Sequence, residues 1–277
     1  MVRTPMRRFE LVSEGHAKFW EVKLTDASFT VRFGRTGASG TAKSKTLASH
    51  QEASDAVRKL VREKTSKGYV EILQPLPTTI IEERVAQASA HGSVFASLSA
   101  LWAEKRPQLE GGLRPGATSV ELASFDKQLG LPLPETFRAM YAWHDGAEED
   151  ERDCFEGSYG FLRLEFILSL KQMLDQVRGG DGTWEKSWVP FLENASSDHV
   201  CIDTGTGDVF EWFNYGRPGG RIMLAPTFDQ WLAQHLALTK AAKSPLDDAN
   251  AHAAFSGPKA ARVRATVSPG YPKGQRR

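Results

Sequence analysis

The chain has 277 residues, 40% of them hydrophobic and 25% charged, with a formal net charge of +1. That composition describes a globular protein able to bury a core, long enough for roughly two domains. Two cysteines, Cys154 and Cys201, exclude a disulfide-built scaffold and a cysteine-built zinc finger. No run of about 18 apolar residues is available for a membrane-spanning helix. Met1 to Trp20 lacks the apolar stretch of a signal peptide, so a cytoplasmic protein is expected.

The near-zero total hides a segregation. Residues 1–73 carry 14 basic and 8 acidic side chains, 74–115 carry 4 of each, 116–236 carry 9 and 20, and 237–277 carry 8 and 2. The chain is thus a basic head, an acidic body of net −11 and a basic tail. Such asymmetry speaks to partners rather than to fold.

Residues 1–73 read as strands followed by one helix. Trp20, Val22 and Leu24 alternate, as do Phe29, Val31 and Phe33, which is the period of half-buried strands. Thr25-Asp26-Ala27-Ser28 is the expected hairpin turn. Thr41 to Ala48 reads as a further strand. Ser49 with Glu52 forms a capping-box pattern. Ala53, Ala56, Val57, Leu60 and Val61 then fall on one helical stripe. Lys64 and Lys67 sit where the helix dipole favours cations, and Gly68 is placed to end the helix.

The blocks Phe19-Trp20-Glu21-Val22, Val31-Arg32-Phe33-Gly34-Arg35-Thr36-Gly37 and Lys67-Gly68-Tyr69 resemble a WGR domain. The resemblance implies a compact β-sheet with one helix. In DNA-dependent poly(ADP-ribose) polymerases this domain binds DNA ends through the aromatic and the arginine of the Trp-Gly-Arg motif. Here Phe33 stands in place of the tryptophan and Arg35 keeps the guanidinium. A phenylalanine stacks on a base with less area and no indole N–H, and an arginine suits a bidentate phosphate contact. The candidate nucleic-acid residues are therefore Phe33, Arg35, Arg32, Lys43 and Lys45. The residue pattern leaves three alternatives open. Phe33 shares its phase with Phe29 and Val31 and so also fits a core position, Arg35 also fits a surface turn, and the lysines also fit a charged strand edge that resists aggregation.

Gln74-Pro75-Leu76-Pro77 begins a linker over 74–91, with a short helix over Thr79 to Ala90. A second domain follows over 92–237. It has a helix from Ser93 to Glu104, a capped helix from Thr118 with Glu121 at the third position, and a helix carrying Phe137, Met140 and Tyr141. Strands are expected at 160–164, 200–203 and 209–213, and a last helix bears Phe228, Trp231, Leu232 and Leu236. Residues 238–277, poor in large apolar side chains, are expected to be a disordered basic tail.

The blocks Leu113-Arg-Pro-Gly-Ala-Thr118, Leu133-Pro134-Glu135, Tyr141, His144-Asp145-Gly146, Gly160-Phe-Leu162, Trp188-Val-Pro190, Cys201-Ile202-Asp203, Gly207-Asp-Val209, Ala225-Pro-Thr-Phe228 and Trp231-Leu232 resemble the SUKH superfamily (Smi/Knr type). The resemblance implies an α+β domain with a central sheet and flanking helices. It also implies a non-enzymatic role: immunity proteins that bind toxins in bacteria, signalling hubs in fungi. The overall fold class is α+β in two domains. The candidate partner-binding residues are Glu148, Glu149, Asp150, Glu151, Asp153 and Glu156, with Trp184 and Trp212 as aromatic anchors; the charge run also fits a solvated loop, and Trp212 also fits a core position. A basic toxin is the expected partner. No serine elbow, Walker loop or His-Glu-x-x-His occurs, so no enzyme, cofactor or metal site is expected, and no membrane partner.

Overall fold

The structure, a computed structural model, describes residues 6–13, 16–72, 78–147, 155–156, 158–179, 183–214, 220–243, 246 and 254–273. The chain divides into two compact units. One runs to residue 76 and includes 107–112; the other holds 77–106 and 113–277.

The first unit is an antiparallel sheet of five strands: β1 (Arg7–Ser13), β2 (His16–Thr25), β3 (Ser28–Arg35), β4 (Thr41–Thr46) and β5 (Val70–Ile72), in the order β4-β3-β2-β1-β5. One helix, α1 (His50–Thr65), crosses it. The Thr25 turn fixes the central hairpin, with Thr25 opposite Ser28 and Trp20 opposite Phe33. Alternation then sorts the side chains onto two faces. Phe9, Trp20, Val22 and Phe29 pack beneath Val57, Ala56, Leu60 and Val61 of α1. Burying each large apolar group there is worth roughly 1.5–3 kcal/mol. The other face carries Phe19, buried beneath the guanidinium groups of Arg8 and Arg32 at 4.8 and 5.5 Å from its ring centre. Ser49 caps α1 as its pattern foretold, accepting from the Glu52 N–H at 3.1 Å. The Glu52 carboxylate reaches back to the Ala48 N–H at 3.3 Å.

The expected linker is not a separate connector. Helix α2 (Thr78–Ser89) lies in the second unit and packs on α3 (Ser93–Lys105). Helix α3 ends at Lys105, ahead of Pro107, and Pro107 then opens the short, separate α4 (Pro107–Gly112); a proline is well tolerated there because its missing N–H is not needed in a first turn. Then come α5 (Ser119–Leu129), α6 (Glu135–Trp143), β6 (Tyr159–Phe161), α7 (Leu164–Val177), β7 (Trp188–Asn194), β8 (His199–Asp203), β9 (Val209–Trp212), β10 (Arg221–Ala225) and α8 (Phe228–Ala241). The sheet is antiparallel in the order β10-β9-β8-β7-β6. Phe191, at a bulge in β7, packs on Phe137 of α6 and on Phe228 and Trp231 of α8. On the opposite face Trp184, Trp188, Phe210 and Trp212 form a ring cluster tied to α7, where Asp175 accepts from the Trp184 indole N–H at 2.8 Å. The chain is thus α+β, with a small sheet unit and a second sheet flanked by helices.

Two polar devices hold the helix ends. The Thr118 hydroxyl and the Glu121 carboxylate complete the capping box of α5. Lys105, at the end of α3, is buried and donates to the carbonyls of Thr239, Lys240 and Ala242 at 3.1, 3.0 and 2.8 Å. Those carbonyls end α8 and have no helical partner of their own.

The expectation of a disordered tail is overturned for its described residues. Residues 257–267 form a helix, α9 (Gly257–Val267), packed along α8. Leu246, Phe255 and Ala260 are buried with Leu238, and Lys273 forms a bridge with Met223 on β10. Composition misled because much of the anchoring comes from an arginine: Arg264 is buried and ion-paired.

Candidate nucleic-acid interface

The alternation of β3 brings Phe33 and Arg35 to one face, and the register extends that face across its neighbours. Lys18 stands opposite Arg35 on β2, Trp20 opposite Phe33, and Lys43 opposite Val31 on β4. Helix α1 covers Phe29 but leaves Phe33 37% exposed. Beside Phe33 opens a cleft of about 300 Å³ lined by Lys18, Phe33, Gly34, Arg35, Lys64 and Tyr69 among others. The Lys43 ammonium sits 5.8 Å from the Phe33 ring centre. The Lys64 ammonium lies between two more rings, 5.7 Å from Trp20 and 5.0 Å from Tyr69. Burial, and then the neighbouring Lys67, hold the Lys64 pKa below its ordinary value. An anion in the cleft would relieve that penalty. One half-exposed aromatic ring therefore stands among four cationic side chains, Lys18, Arg35, Lys43 and Lys64.

Of the nucleic-acid candidates, Phe33, Arg35 and Lys43 come together here. Lys45 shares their face, opposite Phe29 at the far end of β4. Arg32 does not join them. It points to the other side of β3 and donates to Glu21 at 2.7 Å. Lys18, Lys64 and Tyr69 complete the cleft, and Lys18 was within reach of sequence reasoning. Once the turn at Asp26-Ala27 is placed, a two-residue hairpin sets residue 18 across from residue 35.

The partner-binding candidates fare differently. Glu148, Glu149, Asp150, Glu151 and Asp153 lie outside the described residues. Glu156, Trp184 and Trp212 are corrections: all three are buried. Glu156 accepts from Arg264 and from the Trp231 indole N–H. Trp184 donates to Asp175, and Trp212 to the Thr183 carbonyl at 2.9 Å. These indoles are core side chains with a polar tip satisfied internally, so none is available as a surface anchor. Among the described residues no group of three or more His, Cys, Asp or Glu side chains is placed to hold a metal. No described helix is long and apolar enough to cross a membrane.

The WGR domain family matches residues 6–75, and the SMI1 / KNR4 family (SUKH-1) matches residues 116–234. The chain is a WGR domain followed by a SUKH-1 domain. Among solved structures, it is similar to a crystal structure of a Bacteroides fragilis protein, at 36% identity and a TM-score of 0.25 over 25% of this chain and 20% of that one. No curated protein matches the chain.

Proposed function

We propose that the chain is a two-module binding protein, not an enzyme, whose WGR domain holds nucleic acid while its SUKH-1 domain docks a protein partner. The observation that carries this reading is the half-exposed Phe33 ring set among Arg35, Lys18, Lys43 and Lys64. A ring of this kind stacks on a base and the cations take the phosphates on either side. Nothing in that pairing needs a general acid or base. A second reading rests on the charge of the body. Residues 116–236 carry net −11, which favours a basic protein partner such as a nucleic-acid-degrading toxin, and a bacterial-type immunity or regulatory role.

The full chain is expected to bind short DNA with an affinity that falls as salt rises. Arg35→Ala should lower the slope against log salt by about 1, and Phe33→Ala should weaken binding by roughly 5- to 100-fold through lost stacking. Arg32→Gln, on the opposite face, should leave binding unchanged. Fluorescence anisotropy titrations at several salt concentrations decide it. Wild-type affinity in both the Phe33 and Arg35 variants removes the cleft as the contact.

A further inference from the structure

Residues 254–273 lie beyond the SUKH-1 match at 116–234, yet they fill a prepared surface of the second unit. Three anchors hold them. The Phe255 ring stacks on His235 of α8, 4.9 Å away and 13° from parallel. Arg264 reaches inward from α9 to the Glu156 carboxylate, to the Gln234 side-chain oxygen at 3.0 Å and to the Phe255 carbonyl at 3.3 Å. Lys273 then pairs with β10 in an isolated antiparallel bridge, its N–H and carbonyl both bonded to Met223 at 2.9 Å.

The receiving side is the more informative half. Glu156 is 4% exposed and sits in the left-handed backbone region at φ 52, a conformation that costs about 1–3 kcal/mol in a residue other than glycine. Its other carboxylate oxygen accepts from the Trp231 indole N–H at 2.8 Å. A buried carboxylate held this way selects a guanidinium. A buried ion pair adds little stability over an apolar contact, and its best-attested use is to specify which segment pairs with which. The outer edge of β10 offers main-chain groups to any extended chain laid along it. Charge agrees at the anchor itself: the segment belongs to the basic stretch 237–277, and Glu156, which receives Arg264, belongs to the acidic body.

We propose that α8, Glu156 and the edge of β10 form a binding groove, and that residues 254–273 are its built-in occupant, displaced when a protein partner presents the same elements. The partner is a basic amphipathic helix with one inward arginine, an aromatic residue nine positions before it and extended chain nine positions after, as Phe255, Arg264 and Lys273 are spaced. This deepens the reading that the SUKH-1 domain docks a protein partner and rests on it.

The test uses the full chain and a labelled synthetic peptide of residues 254–273. In hydrogen exchange, Phe255→Ala and Arg264→Ala should speed the amides of 254–273 and that of Met223, which bonds to Lys273, by about 100-fold, with β7 and β8 unchanged. The peptide should bind either variant in trans and should be excluded from the wild-type chain. Adding Glu156→Gln to Phe255→Ala should weaken peptide binding by at least about tenfold. Exchange that rises evenly through the second unit overturns the proposal, because the segment is then part of one cooperative core. So does a peptide that binds neither variant, or a variant that turns dimeric by light scattering, which marks exchange with a second copy. Phe255→Ala keeps the ion pair intact and serves if Arg264→Ala does not fold. No outside protein is needed for these readouts, so their failure is distinct from failure to find a docking partner.

Discussion

Between pH 6.5 and about 4 the second unit is expected to lose on the order of 3 kcal/mol of stability through His199 alone, and more through His235. His199 lies parallel to Trp212, 5.7 Å between ring centres, and its Nδ1 has no hydrogen-bond partner among the described residues. Burial lowers its pKa to about 4. His235 is fully buried against Trp102, Phe155, Trp231 and Phe255, with neither ring nitrogen bonded among the described residues. Burial first, then Arg264 and Arg106, hold its pKa well below the ordinary imidazole value. Between pH 6.5 and its lowered folded value, each ring is neutral in the fold and takes up a proton on unfolding. Their stabilising contribution is therefore full above pH 6.5 and falls as the pH drops from there toward each folded value. Each adds a slope of about 1.4 kcal/mol per pH unit in that window. Urea unfolding followed by tryptophan fluorescence reads the second unit, since Trp20 is the one tryptophan outside it. The midpoint should fall steadily from pH 7 to pH 5, and His199→Phe and His235→Phe should each flatten the fall. A wild-type midpoint that does not move over this range contradicts the assignment.

Gly116→Ala should be the most damaging single-methyl change in the second unit. A Cβ at this position would stand 1.8 Å from the Ala142 carbonyl oxygen and 3.0 Å from that of Trp143. Both are backbone atoms in the last turn of α6, so no side chain can swing away. The surrounding strip is pinned as well. Arg114 N–H donates to the Gly146 carbonyl at 3.0 Å, Ala117 N–H to Tyr141 at 2.8 Å, and Asp145 N–H to Pro115 at 3.1 Å. Relief requires pulling the entry of α5 off the end of α6. Overpacking typically costs 1–3 kcal/mol and more where the backbone must move, so a loss of at least about 3 kcal/mol is expected. At roughly 2–4 °C per kcal/mol for a unit of this size, the melting temperature should drop by about 6–12 °C. Gly130→Ala is the control: its φ of 66 carries a conformational cost of about 1 kcal/mol, with nothing within 4 Å of the added carbon. Differential scanning calorimetry of the two variants compares them. If Gly116→Ala melts no lower than Gly130→Ala, the close approach is not what it is taken to be.

Local signals were the legible part of this chain. Four letters, Thr118 to Glu121, marked the start of α5, because a capping box is closed within one turn. Alternation through Phe29, Val31 and Phe33 marked β3 and its phase. Alternation says which side chains share a face and nothing of how far a covering helix extends along it. That is why Phe29 is core and Phe33, in the same phase, is half-exposed. It also separates Arg32 from Arg35, a distinction that was legible once β3 was placed and that a list of nearby cations passes over. The amphipathic α7 went unread because a strand was expected to run through Leu164, its first residue. The acidic stretch shows the limit more sharply. Glu156 reads as one more surface charge, and its partner Arg264 is 108 residues away. The same separation hid α9, which is fastened by a charge buried at a distance as well as by the small apolar side chains Ala260 and Val263.

The pairing of β2 with β3 sets residue 18 against 35, 20 against 33 and 22 against 31. A slip of one residue would turn Phe33 and Arg35 toward Glu21 and Arg8, and would offer Arg32 and Gly34 to the cleft instead. What the first unit can hold is therefore an odd-or-even property of a single strand. The element that guards it is the length of the Asp26-Ala27 turn, two residues that do not line the cleft.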